Sequence, residues 1–115
     1  MIGLEFDGVL HTSVLKPNDN GTINPIKSIK NSPKKLTPNY KIIKLLQDTN
    51  DDVYIITKRT DKKSIKTIQS FLKAHDIKIN KKNIILAGKN KINKIKKLEI
   101  NTFYDCHEEI LEKLN

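Results

Sequence analysis

Ile2-Gly3-Leu4-Glu5-Phe6-Asp7-Gly8-Val9-Leu10-His11 is an apolar run broken by two acids at i and i+2 and closed by a glycine. Side chains two apart on a strand share a face. The spacing therefore sets Glu5 and Asp7 side by side where a strand ends and the chain turns. Acids are seldom buried without a partner, so such a pair implies a cation, a shared proton or phosphate chemistry.

Working outward, residues 2–6 read as a first strand. Residues 16–37 hold three of the four prolines, several Asn and Ser and many lysines, without periodicity. They read as a long surface loop, of the kind that is functional or mobile in compact domains. Thr37 and Pro38 read as the N-cap and first residue of a helix, with Tyr40, Ile42, Ile43, Leu45 and Leu46 as its apolar face. Val53 to Thr57, apolar throughout, reads as a parallel strand covered on both sides. A second helix begins at Thr60-Asp61 and turns Ile65, Ile68, Phe71 and Leu72 inward. Residues 83–87 read as a third strand, 91–99 as a third helix, 102–104 as a fourth strand and 107–114 as a last helix. Strands alternating with helices predict a parallel sheet with right-handed crossovers. The expected fold is α/β, a small three-layer Rossmann-like sandwich, in a single domain spanning 1–115.

Ligands of open parallel sheets bind beyond the carboxyl ends of the strands. Three strand ends here carry polar residues: Glu5 with Asp7, Thr57, and Asp105. The third strand ends in Ala87-Gly88, which offers no chemistry.

Phe6-Asp7-Gly8-Val9-Leu10 resembles the first motif of the haloacid dehalogenase (HAD-like) phosphohydrolases, a hydrophobic strand followed by Asp-x-Asp-Gly-Thr/Val-Leu/Val. Glu5 stands where that family has its first Asp, the nucleophile. The resemblance runs along nearly the whole chain. Thr57 sits at the second motif and Lys91 at the third, with Lys94 one turn later as a rival. Asp105-Cys106-His107-Glu108-Glu109 sits at the acidic fourth. It implies a four-stranded sheet of order 3-2-1-4 without a cap domain, since the 16–37 loop is too short to build one. It also implies magnesium-dependent phosphomonoester hydrolysis. Glu5 would be the nucleophile, Asp7 the acid/base, and Thr57 and Lys91 would stabilise phosphate charge. Magnesium would be held by Glu5, by Asp7 through its backbone carbonyl, by Asp105 and by Glu109 or Glu108; oxygen donors suit that ion.

The departure at Glu5 adds about 1.5 Å, one C–C bond, and misplacement by about 1 Å can cost roughly 100-fold in rate. Three outcomes follow: a weakened phosphatase, a working enzyme with an adjusted backbone, or an inactive domain that binds a phosphorylated or polyanionic partner such as nucleic acid. On the sequence alone, Glu5→Asp is expected to raise activity. A site without a cap admits a phosphorylated macromolecule.

The formal charge is +9, from 21 lysines and a single arginine set against 13 acids. Lys, Ile and Asn have AT-rich codons. Drift in an AT-rich genome, such as that of a parasite, an endosymbiont or a large DNA virus, competes here with a selected anion-binding surface. One arginine and no tryptophan provide poorly for bidentate phosphate contacts or base stacking. Cys106 is alone, and no secretory signal is evident, which points to a reducing, cytoplasmic compartment. No apolar run approaches the roughly 20 residues of a membrane span. A phosphoacceptor receiver domain would need an acid at the end of the third strand. A zinc site from His11, Asp105 and His107 lacks motif spacing.

Overall fold

The computed structural model describes residues 1–19 and 22–105. Four parallel strands, β1 (Ile2–Leu4), β2 (Val53–Thr57), β3 (Ile84–Leu86) and β4 (Thr102–Tyr104), form one sheet in the order β3-β2-β1-β4. Ile2 lies opposite Val53 on one side and Thr102 on the other. Helices α1 (Tyr40–Asp48), α2 (Lys63–Ala74) and α3 (Lys91–Lys97) connect the strands. The fold is the expected Rossmann-like α/β sandwich. The helix expected over 107–114 lies outside the described residues.

The pleat sorts the core into two layers. Val53 and Ile55 pack with Ile43, Leu46, Ile68 and Phe71, so α1 and α2 cover one face. Ile56 packs with Ile95 and Phe103, flanked by Tyr54 and Ile85, so α3 covers the other. Gly3 is required on that second face: a Cβ there would meet Phe103 at 2.7 Å and Ile100 at 2.9 Å. Among the described residues no helix is long and apolar enough to cross a membrane.

Several boundaries differ from the sequence reading. β1 stops at Leu4 instead of Phe6, because the Phe6 carbonyl accepts from the amides of Val9, Leu10 and His11 in a tight turn. Gly8 takes φ 82° in that turn, a conformation glycine adopts without steric cost. α1 begins at Tyr40 with Asn39 as its cap. Thr37 and Pro38 are drawn instead into an extended pairing with residues 11–13: the Thr12 amide donates to Thr37 O, and the Thr37 amide donates to Ser13 Oγ. Tyr40 is 70% exposed, with its ring against His75 rather than in the core. α2 begins at Lys63, where Asp61 Oδ1 accepts from the Ser64 amide at 3.0 Å and caps the turn.

The 16–37 segment is not a simple surface loop. Val14 bridges Pro25 in antiparallel fashion, Pro33–Lys35 form a 3₁₀ turn, Leu36 is buried, and Ile29 packs against the core. Isolated apolar residues pin the segment one at a time, which leaves no periodicity to read.

Candidate functional site

Glu5, Asp7, Thr57, Lys91 and Asp105 all lie at the carboxyl edge of the sheet. They divide into two clusters. In the first, Lys91 reaches from the first turn of α3 to the end of β1. Its Nζ donates to Glu5 Oε2 at 2.9 Å and to Asp105 Oδ2 at 2.5 Å. The rest of Glu5 is held by backbone: Oε1 accepts from the Phe6 amide at 2.9 Å and Oε2 from the Lys58 amide at 3.1 Å. Lys91 is 2% exposed and Glu5 4%. Burial pulls the Lys91 pKa down, but the charges of Glu5 and Asp105 outweigh it and hold the ammonium above its ordinary value. Phe103 closes the cluster, its ring centroid 5.8 Å from Nζ. Lys94, the rival, is exposed.

The second cluster belongs to Asp7. Arg59 grips its carboxylate with two parallel bonds, Nε to Oδ2 at 2.9 Å and Nη2 to Oδ1 at 2.7 Å, the fork geometry that makes arginine strong against carboxylates. His11, fully buried, places Nε2 at 2.8 Å from Oδ1. Its Nδ1 accepts from the Ser13 amide at 3.1 Å, so the ring proton sits on Nε2 and is donated to Asp7. Burial raises the Asp7 pKa, but the hydrogen bonds and charges of Arg59 and His11 carry it below the ordinary carboxylate value. Asp7 is therefore ionised at neutral pH. The remaining Arg59 nitrogen donates to Lys30 O at 2.9 Å and faces Asn31 Oδ1 at 3.4 Å and Ser64 Oγ at 3.3 Å. The guanidinium carbon lies 5.1 Å from the Phe6 ring centroid. Thr57, wholly buried, accepts through Oγ1 from the Arg59 amide at 3.2 Å.

The i, i+2 spacing of Glu5 and Asp7 therefore does not pool their charge. β1 ends before Glu5, the strand period is lost in the turn, and the two carboxylates find different cations. Arg59 and His11 were missed as site residues on the sequence. The available signal was that Arg59 is the single arginine of a chain with 21 lysines. Where lysine replaces arginine nearly everywhere, the one that persists marks a need for a planar fork.

For magnesium, the donors of Glu5 and Asp105 have the right chemistry, hard oxygens in an acid-rich pair balanced by one ammonium. They are two of the four donors the resemblance implies. Arg59 and His11 hold the Asp7 carboxylate and not its backbone carbonyl, and Glu109 lies outside the described residues. Among the described residues no three acidic, His or Cys side chains are grouped to hold a metal ion. A 250 Å³ cleft lined by Gly8, Val9, Asn39, Ile42, Phe103, Tyr104 and Asp105 adjoins the first cluster.

No family model and no solved structure matches the chain. It is 44% identical over 110 residues to the uncharacterized protein L684 of Acanthamoeba polyphaga mimivirus, an alignment covering 90% of this chain and 22% of that protein. The chain thus spans about a fifth of this relative's length.

Proposed function

We propose that the carboxyl edge is a phosphate-handling site of the HAD-like kind, acting on phosphomonoesters with magnesium. The observation that carries the reading is the Lys91 bridge between Glu5 and Asp105. Three positions named by the resemblance, on three separate elements, meet at one atom. Lys91 offsets phosphate charge and fixes the Glu5 carboxylate, while the Phe6 and Lys58 amides orient its oxygens. Glu5 then attacks phosphorus: a new O–P bond forms and the ester P–O bond breaks, with its electron pair leaving on the ester oxygen. Magnesium, held by Glu5 and Asp105, would supply further neutralisation of charge.

The leaving oxygen needs a proton, and Asp7 as clamped by Arg59 has none to give. Good leaving groups depart without one. The expected substrate profile is therefore slow hydrolysis of aryl phosphates and far slower hydrolysis of alkyl phosphates. Release of p-nitrophenol with and without magnesium tests this, beside Lys91→Ala and Asp105→Asn, both of which should abolish turnover. Equal rates on aryl and alkyl esters would show that Asp7 does act as an acid.

The same clamp favours a second reading, a domain that binds phosphate without turning it over. Absence of hydrolysis on every ester tried, with phosphate still protecting the protein against thermal unfolding, would select it.

The geometry also reverses the expectation for Glu5→Asp. Three hydrogen bonds hold the longer side chain, so the backbone is already fitted to glutamate. Shortening it by about 1.5 Å withdraws the carboxylate from Lys91 and the Lys58 amide. Any activity should fall, by roughly tenfold or more given the sensitivity of reaction geometry. A rise would mark Glu5 as a degraded nucleophile.

A further inference from the structure

Charge is not spread evenly over the two edges of the sheet. The turns at the amino edge, 49–52, 75–83 and 98–101, carry the exposed acids Asp51, Asp52, Asp76 and Glu99 beside the exposed Lys78, Lys81 and Lys82. At the carboxyl edge, Glu5, Asp7 and Asp105 are each paired with a buried cation. Asp61 is bound to Lys30 at 3.1 Å. Among the described residues, the exposed charges around them are Lys58, Lys62, Lys63 and Lys89.

These lysines lie on segments the structure joins. The Lys58 amide touches Glu5 itself. The 58–62 and 87–90 turns abut, since a Cβ on Gly88 would stand 3.0 Å from Thr60. Lys30 is tied to the same rim through Asp61 and through its carbonyl on Arg59. Codon drift explains many lysines, but not why, among the described residues, the exposed acids of the amino edge have no exposed counterpart on the carboxyl rim.

We propose that the rim of Lys58, Lys62, Lys63 and Lys89 binds the phosphodiester backbone of a single-stranded nucleic acid laid across the carboxyl edge. As a statement of substrate class this rests on the phosphate reading above; as a binding surface it does not. Lysine contacts phosphate as a point charge without a directional fork, so binding is independent of base sequence and steeply dependent on salt.

The test is fluorescence anisotropy of a labelled oligonucleotide of about 20 nucleotides, in EDTA, from about 50 to 200 mM salt. The full chain is compared with Lys58→Gln/Lys62→Gln/Lys89→Gln and with Lys78→Gln/Lys81→Gln/Lys82→Gln. The two triple variants lose the same charge from exposed positions, at the carboxyl and amino edges respectively. The first should weaken binding at least tenfold at about 50 mM salt and flatten the log–log slope by about 2, at roughly 0.7 per contact on single strands. The second should change affinity less than twofold. Equal losses in both, or no binding by the unmodified chain, would overturn the proposal. Edge-specific binding without hydrolysis of any ester would remove the phosphatase reading and leave this one standing.

Discussion

Two acids of one motif, two residues apart, end in opposite electrostatic conditions. Glu5 shares the ammonium of Lys91 with Asp105. Asp7 belongs to a cluster in which Arg59 grips it with two parallel bonds and His11 adds a further one. Lysine can bridge two acids that approach from different strands, whereas arginine commits its fork to one. That difference supports the proposal of Glu5 as the nucleophile and leaves Asp7 in a structural grip.

The contrast breaks most sharply at Arg59. Arg59→Met strands a buried carboxylate and removes the anchor of Lys30 and Asn31. The expected loss is about 3–5 kcal/mol, as for other buried pairs cut on one side, measured by urea unfolding. A loss below about 1 kcal/mol, the scale of an exposed pair, would mean that water reaches Asp7 and that the clamp is loose.

Lys91→Met should cost less, near the lower end of the same range at about 3 kcal/mol, because the Phe6 and Lys58 amides still hold the Glu5 carboxylate. Millimolar magnesium should restore part of that loss, read as a rise in Tm. No recovery would show that the acid pair cannot hold the ion.

Smaller in size but sharper in direction is the pH dependence. Asp7 has a folded pKa below its ordinary 3.8. Its stabilisation is therefore present above that value and is lost as pH falls through the folded one. Lys91 has a folded pKa above its ordinary 10.5, so its contribution is full below that value and is lost as pH rises through the folded one. Asp7→Asn should flatten the acid limb of a stability profile and Lys91→Met the alkaline limb. A shared response of both limbs to either variant would show that the clusters are coupled.

Much of this architecture is legible in the chain. Val53 to Thr57 could only be a covered strand, and the alternation of strands with helices dictated the layers. Lys91 could be placed by its offset before Asp105, although it took burial to separate it from Lys94. What could not be read is direction. The Phe6 carbonyl gathers three amides, and that turn, not the strand period, decides where Asp7 points. A single arginine after a strand does not announce its partner 52 residues away. Nor do Ile29 and Leu36 announce that a proline-rich segment is packed down, since each is buried alone.

Arg59 has one more consequence. Its guanidinium touches the turn after β1, the segment around Lys30 and Asn31, and the first turn of α2, while its own amide is tied to Thr57. Segments knotted at one group do not breathe separately. Their amides are expected to exchange as a single unit, in which lifting residues 26–36 also exposes the start of α2 and loosens Asp7. Exposure of Asp7 is then expected to be all-or-none, set by how often one side chain lets go.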